Sequence, residues 1–195
     1  NGGQGADSLF GGGGSDYYFV VDQNDKVLDN GSGTDSDSVY ATVDGYVLAT
    51  NSGIEWLIFA PGIGSATGDD NANTLVGNSD PNALDGRGGN DSLDGGTGND
   101  TLIGGDGNDT LVVDSANDSV DGGNGTDVVK SSVDYTLSGG NGVEWLILGG
   151  TAVRGIGNAD DNTVVGNASG NWLEGGAGND SLDGGSGNDT LIGGD

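Results

Sequence analysis

Residues 95–112 read GGTGNDTLIGGDGNDTLV, two nine-residue units identical at seven of nine positions. In each unit the first six residues are turn formers, and the last three, such as Thr101-Leu102-Ile103, suit a short strand. Glycine allows positive φ and close backbone approach, and Asn and Asp tolerate left-handed turns. One unit therefore predicts half a coil of a flattened solenoid, and two units predict one full coil of 18 residues.

The same frame extends in both directions. From residue 86 it reads GRGGNDSLD, GGTGNDTLI, GGDGNDTLV, VDSANDSVD and GGNGTDVVK, ending at Lys130. It opens the chain as GGQGADSLF (2–10), GGGGSDYYF (11–19) and VVDQNDKVL (20–28), followed by an inserted Asp29 and NGSGTDSDS (30–38). It returns as GGAGNDSLD (175–183) and GGSGNDTLI (184–192). Position eight, as in Leu93, Leu102, Leu111, Leu182 and Leu191, is expected to be core.

The composition narrows the chemistry. Glycine makes up 44 of 195 residues and aromatics only 6%, which favours a thin, repetitive architecture over a thick two-layer core. The net charge of −27 leaves only Lys26, Lys130, Arg87 and Arg154 as cations, so nucleic acid and anionic membrane surfaces are excluded as partners. The absence of Cys and His excludes disulfides, thiolate or imidazole metal sites and Ser-His or Cys-His catalysis. No apolar run approaches the ~20 residues of a membrane span, and no basic-then-apolar leader opens the chain. A soluble segment with an internal start is expected.

Stacking places turns two units apart on one edge, about one strand spacing of ~4.8 Å from each other. Position-six carboxylates then form columns: Asp91 over Asp109 over Asp127, Asp100 over Asp118, and Asp7 over Asp25. Two unit charges ~5 Å apart repel by ~0.8 kcal/mol in water and ~3 kcal/mol at an effective dielectric of 20. The metal-free chain should therefore resist folding, and a divalent cation should reverse the sign. Calcium takes 6 to 8 oxygen ligands at ~2.3–2.6 Å and accepts backbone carbonyls, whereas Mg²⁺ demands a tight octahedron. Calcium, as several ions, is the expected cofactor and partner.

The frames resemble the Gly-Gly-x-Gly-x-Asp-x-apolar-x nonapeptide of the RTX (repeats-in-toxin) family, an established calcium-binding parallel β-helix repeat. The resemblance implies an all-β, right-handed parallel β-roll (β-helix solenoid), exported unfolded by type I secretion and folded in millimolar calcium outside the cell. It implies metal ligation by Asp7, Asp16, Asp91, Asp100, Asp109, Asp180 and Asp189, with Asp25, Asp35, Asp118 and Asp127 in degraded frames. Backbone carbonyls of Gly86, Gly95, Gly104, Gly175 and Gly184 would complete the sites. Where position six is Asn73, Asn82, Asn162 or Asn171, hydrogen-bond ladders are expected in place of metal.

A longer period overlies the short one. GIEWLIF (53–59) recurs as GVEWLIL (142–148), and GDDNANTLVGNSDPNALD (68–85) as GNADDNTVVGNASGNWLE (157–174), both displaced by 89 residues. The expected organisation is a β-roll block over 1–37, a spacer with irregular coils over 38–67, a block over 68–130, a second spacer over 131–156 and a block over 157–195. This is about two tandem modules of a longer array.

If Leu57, Phe59, Leu146 and Leu148 point inward, alternation turns Trp56, Ile58, Trp145 and Ile147 outward. The alternatives are a reversed parity, or a spacer folded over the rings. Outward rings would mark self-association through a Trp56/Trp145 stripe, or sugar stacking on Trp56, Trp145 or Trp172, which makes polysaccharide a candidate partner. End-to-end stacking is a second route to self-association. The expected function is a non-catalytic, calcium-binding structural segment of a secreted bacterial protein: a surface layer, adhesin or self-assembling filament at the cell surface or outside the cell. The alternative is a C-terminal secretion, folding or polysaccharide-binding module of a type I-secreted enzyme. An activity of its own would have only Glu55, Glu144 and Glu174 beyond the Asp columns, without the placed acid pair that glycoside hydrolysis needs.

Overall fold

A computed structural model describes residues 1–31 and 35–195; residues 32–34, within the frame 30–38, lie outside the described residues. Among the described residues the chain is all-β and has no helix. The strands on one wall are β2 (Tyr17–Val20), β4 (Ser38–Ala41), β6 (Trp56–Phe59), β8 (Thr74–Val76), β10 (Ser92–Asp94), β12 (Thr110–Val113), β14 (Val128–Ser131), β16 (Trp145–Leu148), β18 (Thr163–Val165) and β20 (Ser181–Asp183). They form one unbroken ten-stranded parallel sheet in that order. Ten stacked coils thus make a parallel β-solenoid.

The opposite wall comes in three pieces. β1 (Ser8–Phe10) pairs with β3 (Lys26–Leu28). A five-stranded sheet joins β5 (Tyr46–Val47), β7 (Ser65–Thr67), β9 (Ala83–Gly88), β11 (Thr101–Asp106) and β13 (Ser119–Asn124). A four-stranded sheet joins β15 (Tyr135–Thr136), β17 (Arg154–Ile156), β19 (Trp172–Gly176) and β21 (Thr190–Gly194). Residues 18 apart face each other wherever the nonapeptide is regular, as in Leu75↔Leu93↔Leu111 and Leu84↔Leu102↔Val120.

Each strand sends alternate residues into a single-layer core. Leu57, Leu75, Leu93, Leu111, Val129, Leu146 and Val164 stack from one wall against Ala66, Leu84, Leu102 and Val120 from the other, and all are buried. Full burial of one such side chain stabilises by ~1.5–3 kcal/mol, so the stacked leucines are the main apolar term. The last coil departs from the expectation. Leu182 is only partly buried and Leu191 is 45% exposed.

Strands β4 to β7 and β15 to β17 run through the segments read as spacers, and the solenoid is continuous through them. Their irregularity lies in the turns and in the second wall, where β5 and β15 are two residues long and do not pair with the preceding β3 and β13. Tyr46 and Tyr135 enter the core where the second wall is interrupted, and the Tyr135 hydroxyl donates to the Asp118 carbonyl across the gap at 2.8 Å.

Candidate calcium-binding turns

Position six of each unit precedes a strand, so the coil period stacks these residues into columns. On the edge before the ten-stranded wall, the Asp91 N–H donates to Asp109 Oδ1 and the Asp109 N–H to Asp127 Oδ1, both at 2.7 Å. On the other edge the Asp100 N–H donates to Asp118 Oδ1 at 2.9 Å, and the Asp7 N–H to Asp25 Oδ1 at 3.0 Å. Sequence neighbours Asp100 and Asp109 lie on opposite edges.

One carboxylate oxygen is thereby used, and the fate of the second separates three kinds of turn. In the glycine-rich turns, Oδ2 of Asp7, Asp16, Asp91, Asp100, Asp109, Asp127 and Asp180 is buried without a hydrogen-bond partner. An uncompensated buried carboxylate oxygen is unfavourable. Burial pushes the Asp91 carboxyl up to about 7 and the Asp127 carboxyl up to about 6; nearby acids add to the shift. Asp100 and Asp109 are raised by the same desolvation.

Beside each orphaned oxygen stands position one of the frame. A methyl group on Gly86 would run into Asp91 Oδ2 and the Gly104 carbonyl oxygen, and one on Gly104 into Asp109 Oδ2 and the Gly122 carbonyl. The carbonyls of Gly86, Gly95, Gly175 and Gly184, expected to complete metal sites, lie instead against Gly68, Gly77, Gly157 and Gly166 one coil away, beside the satisfied Oδ1 atoms of Asn73, Asn82, Asn162 and Asn171. Gly105 and Gly107, at φ 110° and 136°, complete the turn in a conformation that side chains rarely adopt. In the turns of Asp91, Asp109 and Asp127 a carboxylate oxygen and a glycine carbonyl of the next coil converge, which is the kind of donor set a hard divalent ion takes.

The second kind of turn lacks these glycines and closes on itself. Asp25 Oδ2 accepts the N–H groups of Val21 and Asp22, and Asp118 Oδ2 accepts those of Asp114 and Ser115. The third kind uses Asn. Oδ1 of Asn73, Asn82, Asn162 and Asn171 accepts the N–H four residues earlier, while Nδ2 donates to the carbonyls of Ile54, Ile63, Val143 and Ala152. The expected Asn ladder is therefore replaced at position six by backbone capping. A side-chain-to-backbone ladder does occur at position five, where Asn90 Oδ1 accepts the Asn108 N–H and Asn108 Oδ1 accepts the Thr126 N–H.

Near the chain start the register corrects the reading. Ser38 pairs with Tyr17, so Asp37 and not Asp35 stacks on Asp16, whose N–H donates to Asp37 Oδ1 at 2.7 Å. The cause is the extra residue at Asp29 together with two more before Ser38, which lengthen this coil beyond the regular period. Asp35 instead accepts the Gly14 N–H. Asp29 folds back into the column: oxygens of Asp16, Asp29 and Asp37 lie within 4.8 Å of one another, and the Tyr18 hydroxyl donates to Asp29. Burial raises both the Asp37 carboxyl and the Tyr18 hydroxyl above their ordinary values. Asp189 holds its column place by accepting the Asn171 N–H.

Besides Asp37, two further column members are not evident from the sequence. Glu55 and Glu144 occupy position six before β6 and β16, where they accept the N–H groups of Asp37 and Asp127. The signal was present in Glu-Trp-Leu-Ile and Glu-Trp-Leu-Ile at 55–58 and 144–147, a carboxylate one residue before an alternating strand. Outside the regular Gly-Gly-x-Gly-x frame it did not stand out.

The parity of the tryptophans is as alternation requires. Trp56, Trp145 and Trp172 are 40%, 39% and 45% exposed while Leu57 and Leu146 are buried, so the rings are neither inverted nor covered. Trp172 lies on the wall opposite the other two.

No curated protein and no solved structure matches the chain. The family model of the RTX calcium-binding nonapeptide repeat matches four times, over residues 1–27, 67–102, 103–131 and 156–191, about two thirds of the length. The matched stretches contain the turns with orphaned carboxylate oxygens, and calcium is the ligand of the repeat. With this coverage and this geometry, the chain belongs to the RTX calcium-binding nonapeptide repeat family.

Proposed function

We propose that this chain is a non-catalytic, calcium-folded structural segment of a secreted bacterial protein, used in a surface layer, adhesin or self-assembling extracellular filament. The observation that carries the reading is the set of buried, unpartnered Asp oxygens repeated along both edges, joined by glycine carbonyls at Asp91, Asp109 and Asp127. Such a chain is poised between repulsion in calcium-poor cytosol and order in calcium-rich surroundings. Family membership supports the secreted setting.

The ions are assigned to Asp91, Asp109 and Asp127 with Gly104 on one edge, Asp100 on the other, and the equivalent turns of Asp7, Asp16, Asp180 and Asp189. Asp25 and Asp118 are left outside the set, because their second oxygens are already occupied by turn N–H groups. Glu55 and Glu144 serve as column spacers, which supports a structural role over a catalytic one.

Circular dichroism during a calcium titration with chelator reversal tests the reading. The expected result is β-structure that appears with calcium and is lost on chelation. Equal β-structure in excess chelator and in millimolar calcium would overturn it.

A further inference from the structure

The outer face of the ten-stranded wall has two rows of side chains. The first runs Tyr17, Ser38, Trp56, Thr74, Ser92, Thr110, Val128, Trp145, Thr163, Ser181, set by the strand register. The second, two residues further along each strand, carries Ile58, Val76, Val112, Ile147 and Val165, and its only charges are Asp94, Lys130 and Asp183. A chain of net charge −27 thus keeps one long face almost free of charge. Single exposed apolar residues need no partner, but a continuous face does.

We propose that this face is where a second copy of the same chain packs, wall to wall, about a two-fold axis that runs along β12. The proposal rests on the self-assembling reading above and specifies its contact. Such an axis reverses the order of strands and preserves position along them, so β10 of one copy meets β14 of the other. Asp94 then faces Lys130 twice, once on each side of the axis. Within its own chain Lys130 has only Val112 and Ile147 beside it in its row, and Asp94 only Val76 and Val112, one Asp94 oxygen accepting the Gly96 N–H and the other left for a facing cation.

The same operation places bulk against hollows. Strand β6 meets β18 and β16 meets β8, so Trp56 lies over Thr163 and Trp145 over Thr74, while Ile58 faces Val165 and Ile147 faces Val76. Trp56 of one copy and Trp145 of the other fall in adjacent rows, about one strand spacing of ~4.8 Å apart, where rings stack. The other two-fold, along the solenoid axis, sets each strand on itself: Trp56 falls on Ile58, Trp145 on Ile147, and Lys130 on Val128. It pairs no charges and collides the largest side chains.

The overlap from β4 to β20 is about 38 Å long and about 13 Å wide. It buries roughly 1,000 Å² over the two copies, at the threshold of a specific interface. A reversible dimer in the micromolar range is the expected product.

Sedimentation equilibrium in millimolar calcium, with circular dichroism on the same samples, tests it. The wild-type chain is expected to dimerise. Lys130→Asp and Asp94→Lys should each weaken the dimer at least tenfold, and the double exchange should restore it, since only facing charges can compensate. Trp56→Ser should weaken it with unchanged β-structure. A monomeric mass at 100 µM or more with intact β-signal overturns the dimer alone, and failure of the double exchange to restore it overturns the register. A chain with no β-signal at any calcium concentration overturns both this proposal and the calcium reading.

Discussion

GGTGND (95–100) and VDSAND (113–118) stack on one edge and end in the same residue, yet they treat its carboxylate differently. Asp100 and Asp118 each give one oxygen to the N–H of the preceding coil, Asn82 and Asp100 respectively. Asp118 spends the other on Asp114 and Ser115, whereas that of Asp100 is buried and idle. The glycines make the difference: Gly96 takes a positive φ and sends its N–H outward to Asp94, so it is lost to Asp100. A strict glycine turn depends on a cation, and a degraded one sustains itself.

Removal of calcium breaks this comparison most completely. At sub-saturating calcium, where part of the β-structure persists, amide exchange at Asp91, Asp100 and Asp109 should accelerate roughly tenfold or more relative to Asn73 and Asn162, as local opening follows the least satisfied turns. Uniform exchange across all turns would mean that self-capping confers no independence.

Gly104→Ala comes next. The methyl collides with the Gly122 carbonyl and Asp109 Oδ2, and overpacking of this kind costs about 1–3 kcal/mol. Calcium-saturated urea melts should show it, while Ala116→Gly in the exposed, self-capped turn should shift stability by less than about 1 kcal/mol.

Asp109→Asn and Asp118→Asn sharpen the contrast at equal chemistry. The first should lower calcium affinity about tenfold by removing one ligand charge, and the second should leave affinity unchanged while costing about 1 kcal/mol of stability. Equal affinity losses in calorimetric titrations would place Asp118 among the ligands.

The smallest effect is that of pH. Folding raises Asp91 to about 7 and Asp127 to about 6 from an ordinary 3.8, so the folded metal-free chain binds more protons than the unfolded one. Its stability is fully present below about pH 4 and is lost as pH rises through 6 and 7. Dichroism in chelator should therefore show more β-structure at pH 5 than at pH 8.

The glycine turns were legible because period, residue type and chemistry coincide in them. Strand parity was only half legible: alternation offered outward Trp56 and Trp145, but a reversed parity or a covering spacer stayed open, and the burial of Leu57 and Leu146 decides between them. Asp37 was hidden because an insertion shifts the register, which only strand pairing reveals. Glu55 and Glu144 were hidden because a longer side chain reaches the column position from a turn that departs from the Gly-Gly-x-Gly-x frame. The two tyrosines that fill the core at the wall breaks have no local pattern: Tyr46 and Tyr135 acquire their role from strands that do not pair.

Those breaks give the rod a direction of compliance. One wall is hydrogen-bonded from β2 to β20 without interruption, while the other is cut between β3 and β5 and again, five strands later, between β13 and β15. Pulled along its axis, such a body carries load through the intact wall. Bent, it should open at the cuts, so that the pieces of two, five and four strands move as stiff links hinged on a continuous backing.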